Sequence, residues 1–166
     1  MEDAQSFLKG KHILAVDDEK DVVETIEEIL EQADVDVAYD YTTASKKIVQ
    51  TKYDLAILDI MGVEGIKLLD ECVEQGIPTI MLTAHAMNPD SLVSSIKKGA
   101  ISYLPKERLS DLDTLIADLL GAHNEGRPAW KLLFEKMGSF FNKRFGNDWK
   151  EKDKDFWDKF DKNYYI

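Results

Sequence analysis

Five short apolar runs, each followed by a stretch of helical periodicity, constrain this chain more than any other feature of its sequence. The runs are His12 to Val16, Asp34 to Ala38, Leu55 to Leu58, Pro78 to Leu82 and Ile101 to Leu104. Short runs of near-continuous apolar character suit strands buried on both faces, as in a parallel sheet covered by helices. Between them, Val22, Ile26, Ile29 and Leu30 share one helix face, as do Ala44, Ile48 and Val49, and then Ile66, Leu69 and Val73. Asn88-Pro89 opens a further helix, with Pro at its first position and Leu92, Val93 and Ile96 facing inward. Ser110-Asp-Leu-Asp113 resembles a capping box and starts the next helix, which carries Leu112, Leu115, Ile116 and Leu119 and stops at Gly121. The order is strand then helix, five times over. Right-handed crossovers then require an α/β fold, an open and doubly wound parallel sheet of five strands with helices on both faces.

Charge divides the chain near Gly121. Residues 1–121 hold 24 acidic and 11 basic groups, whereas residues 122–166 hold 8 acidic and 10 basic ones, within a net charge of −11. Such an acidic molecule has no general attraction to nucleic acid or anionic lipid, so neither is expected as a partner. All three tryptophans (Trp130, Trp149, Trp157) lie beyond the boundary, with Phe134, Phe140, Phe141, Phe145, Phe156, Phe160, Tyr164 and Tyr165. The expected organisation is a domain over 1–121, a Gly- and Pro-containing connector over 122–128 and an aromatic-rich tail over 129–166. Trp130, Leu133, Phe134, Met137, Phe141 and Phe145 fall on one face of a helix over 128–145, and a second helix is expected from Asp148 to Asn163. About forty residues cannot close a core alone, so this apolar face must be buried on the first domain or on a second copy. The single cysteine, Cys72, excludes an internal disulfide, and no run approaches the ~20 apolar residues of a membrane span. Glu2 and Asp3 stand where a secretory leader would be basic, and the expected location is cytoplasmic.

In an open α/β sheet, ligands bind at the carboxyl ends of the strands. Here the first run ends in Asp17-Asp18-Glu19, the third in Asp59, the fourth in Thr83 and the fifth in Tyr103-Leu-Pro-Lys106. Carboxylates gathered on one rim repel one another unless a cation sits among them. With oxygen ligands only, a hard ion such as Mg²⁺ is favoured over Zn²⁺. Carboxylate, Mg²⁺, lysine and hydroxyl together are what an aspartyl phosphate needs, namely a nucleophile and groups to hold the phosphoryl oxygens.

These residues make residues 1–121 resemble a response-regulator receiver domain of two-component signalling. The resemblance implies the flavodoxin-like strand order 2-1-3-4-5. It implies Asp59 as the phosphoacceptor, with Asp17 and Asp18 as metal-site residues, Asp18 the more direct ligand, and the Met61 carbonyl completing the protein ligands for Mg²⁺. Thr83 matches the switch hydroxyl, Tyr103 the switch aromatic and Lys106 the phosphoryl-binding lysine. Met61 and His85 occupy the positions where the family tunes the lifetime of its phosphoryl group. The implied function is that of a response regulator taking a phosphoryl group from a histidine kinase or phosphotransfer protein. It is a regulatory phosphoacceptor with slow self-dephosphorylation, not an enzyme acting on other substrates. Its output would be a protein–protein interaction or a homodimer through the tail. Two departures stand out. The loop Asp59-Ile-Met-Gly-Val-Glu-Gly65 is about two residues short of the family's usual length and lacks its proline, and Glu107 follows Lys106 where a proline is common. A trans Lys106–Glu107 bond is expected, because a cis bond without proline costs ~2.5–4 kcal/mol.

Two other readings compete. A haloacid-dehalogenase-like phosphatase would want an acid/base aspartate two residues after Asp59, where Met61 stands. A receiver-like binding module that works without phosphorylation is the alternative that the shortened loop keeps open, although the complete acidic set with Lys106 argues against it. Of the remaining residues, Cys72 is expected to pack as a small hydrophobe, and His12 and His123 to have no cluster around them.

Overall fold

The computed structural model describes residues 3–84 and 87–164. It contains five strands, β1 (His12–Val16), β2 (Asp34–Ala38), β3 (Leu55–Asp59), β4 (Thr79–Thr83) and β5 (Ser102–Pro105), all parallel and in the order β2-β1-β3-β4-β5. Eight α-helices surround them among the described residues: α1 (Ala4–Leu8), α2 (Lys20–Ile29), α3 (Tyr41–Gln50), α4 (Gly65–Glu74), α5 (Pro89–Lys97), α6 (Leu112–Asn124), α7 (Ala129–Phe145) and α8 (Lys154–Tyr164). The expected doubly wound sheet and its two-helix C-terminal extension are both present.

The central strands β3 and β4 are buried along their whole length, as their unbroken apolar character requires. Edge strand β2, with Asp34 and Asp36 alternating with Val35 and Val37, is half-exposed. Helices α2 and α6 pack together, as do α3 and α4. The helix faces follow the apolar spacing with small rotations. Val23, Ile26 and Leu30 are the wholly buried members of the α2 face, and Val49 of α3 is exposed where Ala44 and Ile48 are buried. Asp40 and Asn88 cap α3 and α5 by accepting from Thr43 N at 2.7 Å and Ser91 N at 2.8 Å.

Three expectations need correction. Ser110 does not cap a helix. A 3₁₀ turn over Lys106–Asp111 intervenes, and α6 starts at Leu112 without a side-chain cap. Helix α6 also runs through Gly121 to Asn124, where a backbone turn at Glu125 and Gly126 ends it, so only Glu125 to Pro128 connects it to α7. The second tail helix begins with a 3₁₀ turn over Trp149–Asp153 before α8. Helix α1 is an addition: Asp3 caps it through Ser6 N at 2.8 Å, and Gln5 Nε2 donates to Asp113 of α6 at 3.0 Å.

The tail covers the β5 edge. Helix α7 packs on β5 and α6, with Trp130, Leu133, Met137 and Phe141 buried and Phe134 and Phe145 partly so. Trp130 Nε1 donates to the Ala100 carbonyl at 2.8 Å, just ahead of β5. Trp149, Trp157 and Phe160 close the other side of α7, and Lys97 of α5 lies over the Phe156 ring. The side that covers the open edge of the sheet is therefore aromatic.

Candidate functional site

Strand register decides which side chains meet. Val16 pairs with Leu58, Asp59 with Leu82, and Thr83 with Pro105, so Asp17, Asp59, Thr83 and Lys106 arrive at one level on the carboxyl rim. The Lys106 ammonium is central to them. It stands 2.8 Å from Asp17 Oδ2, 3.3 Å from Glu19 Oε1 and 3.4 Å from Asp59 Oδ1. Asp17, Asp59 and Thr83 are buried, whereas Asp18 and Glu19 open to solvent.

Burial raises the pKa of Asp59 to about 6, helped by the Asp17 charge and opposed by Lys106. Asp17 is raised too, chiefly by burial, although Lys106 and the Glu19 backbone N–H, 2.9 Å from its Oδ1, favour the carboxylate. Burial works against the charged form of Lys106. The close pairing with Asp17 and the Asp59 charge outweigh it, so the pKa of the lysine rises. The three groups form a buried cluster with one cation for two carboxylates, short of positive charge.

That shortfall is the test of the metal reading. Asp17 Oδ2 is buried and receives no well-aligned hydrogen bond, although Lys106 lies close as an ion pair, while the aligned bond from Lys106 goes to Glu19. Carboxylate oxygens of Asp17, Asp18 and Glu19 can lie within 4.8 Å of one another. Oxygen-only donors around an under-neutralised carboxylate fit a hard dication such as Mg²⁺.

The loop after Asp59 folds tightly onto this cluster. Gly62 has φ +86°, and a Cβ there would sit 2.6 Å from Asp18 Oδ2; at Gly65 a Cβ would sit 2.0 Å from the Asp59 carbonyl. Glu64 is left-handed at φ 54° and leads into α4. Gly65 is therefore required by its close approach to the Asp59 backbone, and Gly62 by its left-handed φ. Met61 lies in this loop with an exposed side chain. His85 lies outside the described residues. No peptide bond among the described residues is cis, Lys106–Glu107 included.

Tyr103 is fully buried, its hydroxyl 2.7 Å from Ser91 Oγ and 3.4 Å from the Asn88 carbonyl at the start of α5. Burial raises its pKa. Its ring centroid is 6.1 Å from that of Phe141, so the candidate switch aromatic touches the tail. Glu107, the residue after Lys106, pairs with Arg144 of α7. Neither link was legible in advance, because both join segments with no shared sequence pattern. Cys72 is buried, and burial pushes its thiol up to about 12.

Carboxylates, a lysine and a hydroxyl thus gather at the carboxyl ends of a doubly wound parallel α/β sheet. The sequence profile of the response regulator receiver domain matches residues 13–119, and the chain belongs to that family. It is 34% identical over 108 residues to the two-component response regulator ARR18 of Arabidopsis thaliana, a match covering 60% of this chain and 16% of that protein. Over 103 residues it is 35% identical to the alkaline phosphatase synthesis transcriptional regulatory protein PhoP of Bacillus subtilis (strain 168), covering 58% and 42%. The chain thus spans well under two thirds of the length of either curated relative. A CheY-like receiver domain protein from Methanospirillum hungatei JF-1 superposes with a TM-score of 0.64 at 28% identity, covering 71% of this chain and 99% of that one. The Francisella response regulator 1452 receiver domain gives 0.61 at 28% identity, covering 68% and 98%. Helices α7 and α8 lie outside the profile match. Among the described residues no helix is long and apolar enough to cross a membrane.

Proposed function

We propose that this chain is a two-component response regulator that accepts a phosphoryl group on Asp59 from a histidine kinase or phosphotransfer protein. The observation that carries the reading is the buried Asp17–Lys106–Asp59 cluster, with Lys106 3.4 Å from the Asp59 carboxylate and Thr83 at the end of the adjacent strand. Asp59 is the nucleophile. One Oδ attacks phosphorus, the donor nitrogen or oxygen leaves with the bonding pair, and the oxygens of the transferred group come to Lys106 and Thr83. Mg²⁺, held by Asp17, Asp18, Asp59 and the Met61 carbonyl, would supply positive charge to those oxygens. Burial keeps bulk water from Asp59 and supports slow hydrolysis of the acyl phosphate. The family is regulatory, and the chemistry serves the protein's own modification.

The test is labelling by acetyl phosphate, read by intact mass. One phosphoryl group per chain is expected with Mg²⁺, none after chelation and none in Asp59→Asn. Labelling that survives Asp59→Asn, or its absence in the wild type with any donor, would defeat the assignment and leave the phosphorylation-independent binding module.

The tail gives the output its form. Phosphorylation draws Thr83 toward the phosphate and shifts Tyr103, whose ring is packed on Phe141. The tail covers that face, so its aromatic helices are held or released for a partner or a second copy. Trp fluorescence reports only on the tail. Beryllofluoride with Mg²⁺ should therefore change that fluorescence in the wild type and leave it unchanged in Thr83→Ala. An unchanged signal in both would detach the tail from the switch.

A further inference from the structure

The acidic rim has a counterpart at the opposite end of the same strands. His12 opens β1 and Asp34 opens β2, and the parallel register pairs them directly. Asp36, two residues on, shares the Asp34 face of β2. His12 Nε2 is 3.1 Å from Asp36 Oδ2 and 3.9 Å from Asp34 Oδ2. The expectation that His12 has no cluster around it is overturned, because a polar residue at the start of a strand meets whatever its paired strand carries.

We propose that His12, Asp34 and Asp36 form a second cation site, for a borderline transition-metal dication such as Zn²⁺, at the amino ends of β1 and β2. The spacing fits. Tetrahedral Zn²⁺ with bonds of about 2.0–2.1 Å sets neighbouring ligand atoms ~3.3 Å apart, which lies between the two observed separations, and all three donors can lie within 4.8 Å of one another. One imidazole and two carboxylates suit Zn²⁺, unlike the oxygen-only rim. Three protein ligands leave a fourth position for water, and the His12 side chain is 30% exposed, so an ion can reach it.

The surroundings hold the ligands in place. The Tyr53 hydroxyl donates to Asp36 Oδ2 at 2.7 Å, and its ring centroid is 4.7 Å from that of His12. Asp54 Oδ2 accepts from the His12 backbone N–H at 2.8 Å. Outer hydrogen bonds of this kind orient metal ligands. Asp34, Asp36 and Asp54 gather negative charge here, and Lys47 of α3, which acts on Asp36, is a competing cation. Binding takes His12 with a free Nε2 lone pair, so any proton it shares with Asp36 moves to Nδ1 or to solvent. The site lies about 16 Å from Asp17 along β1, at ~3.3 Å per residue, so the two can be titrated separately.

The experiment is equilibrium dialysis of the full chain against Zn²⁺ with Mg²⁺ in large excess, repeated in Asp18→Asn to weaken the rim. One Zn²⁺ per chain is expected in both proteins. Asp34→Asn changes an exposed side chain and preserves folding; it and His12→Asn should lower the affinity at least about tenfold, and Tyr53→Phe by about tenfold. Co²⁺ should give an intense visible band that the same variants lose. Zn²⁺ uptake undiminished in Asp34→Asn and His12→Asn, or no uptake in excess Mg²⁺, would overturn the proposal and leave the His12–Asp36 contact as a strand clasp.

Discussion

The sheet domain and the tail bury apolar surface by opposite means. The domain does it with aliphatic side chains on a regular scaffold, where Ile13, Leu14, Leu55, Ile57, Leu58 and Ile80 fill the space between sheet and helices. The tail does it with rings. Phe134 sits edge-on to Phe141, Trp157 and Phe160, with centroids 5.6–5.7 Å apart, and Lys150 lies over Phe134, Trp149 and Trp157. Five strands give the domain enough repeated surface to close on itself. Two helices do not, so the tail adds large, rigid rings to Leu133 and Met137 and borrows its remaining wall from β5 and α6. A short appendage built this way depends on its host. The dependence also runs the other way, since the tail is what covers Tyr103 and the β5 edge.

The largest expected effect tests that mutual dependence. Phe141 is fully buried and bridges Tyr103 to Phe134, so Phe141→Ala should cost about 3–5 kcal/mol. In urea, tryptophan fluorescence reports the tail and far-UV circular dichroism mainly the domain. Both transitions should shift together to lower denaturant. Movement of the fluorescence transition alone would make the tail a separately folding unit.

The next effect belongs to the domain and has the opposite sign. Asp59 binds its proton more tightly when folded, at about 6, than at its ordinary 3.8. Between those values the folded state holds more protons than the unfolded one, so this group withdraws stability as pH rises through the window, and the loss persists above it. In Mg²⁺-free buffer at neutral pH, Asp59→Asn should therefore stabilise the protein, by about 1–3 kcal/mol. The slope of stability between about pH 4 and 6 should flatten, with Asp17 leaving a remainder. A destabilised variant would mean that Lys106 already satisfies Asp59, and the case for an added cation would fall with it.

A third substitution separates shape from polarity in the tail. Trp130→Phe keeps an aromatic ring but leaves the Ala100 carbonyl without its donor, at a cost of about 1–3 kcal/mol. An unchanged urea midpoint would show that the tail is held by ring burial alone.

The parts that were legible in the sequence are those with a period or a short-range partner. Apolar runs, the Asn88-Pro89 cap and the acidic strand ends carry their meaning within a few residues, and crossover handedness assembles them. The Lys106 cluster was legible because four strand ends must meet on one rim. His12 with Asp34 and Asp36, and Glu107 with Arg144, join residues 22 or more apart with no pattern between them. Gly62 and Gly65 looked like ordinary loop residues, because their necessity lies in a left-handed φ and in an approach to the Asp59 backbone that only the folded loop creates. Ser110 matched a capping pattern, yet the 3₁₀ turn after β5 carried the chain past it.

The smallest expected effect on stability is at the Glu107–Arg144 pair, and it is the one that bears most directly on how the two regions communicate. Both side chains are over a third exposed, so Arg144→Gln should cost less than about 1 kcal/mol, read by urea denaturation. Glu107 nevertheless follows Lys106, and the same backbone that presents the Lys106 ammonium to Asp17 and Asp59 holds one end of the pair. If Lys106 shifts toward a phosphoryl group and this opens the pair, activation bears the cost of separating it. Arg144→Gln removes that cost in advance, so the affinity for beryllofluoride with Mg²⁺ should rise, up to about fivefold for 1 kcal/mol, while stability falls. The two readings move in opposite directions only if the contact is made in the resting state and lost in the active one. Equal affinity in variant and wild type would assign the pair to the surface alone and leave the Tyr103–Phe141 contact as the remaining link between the proposed site and the tail.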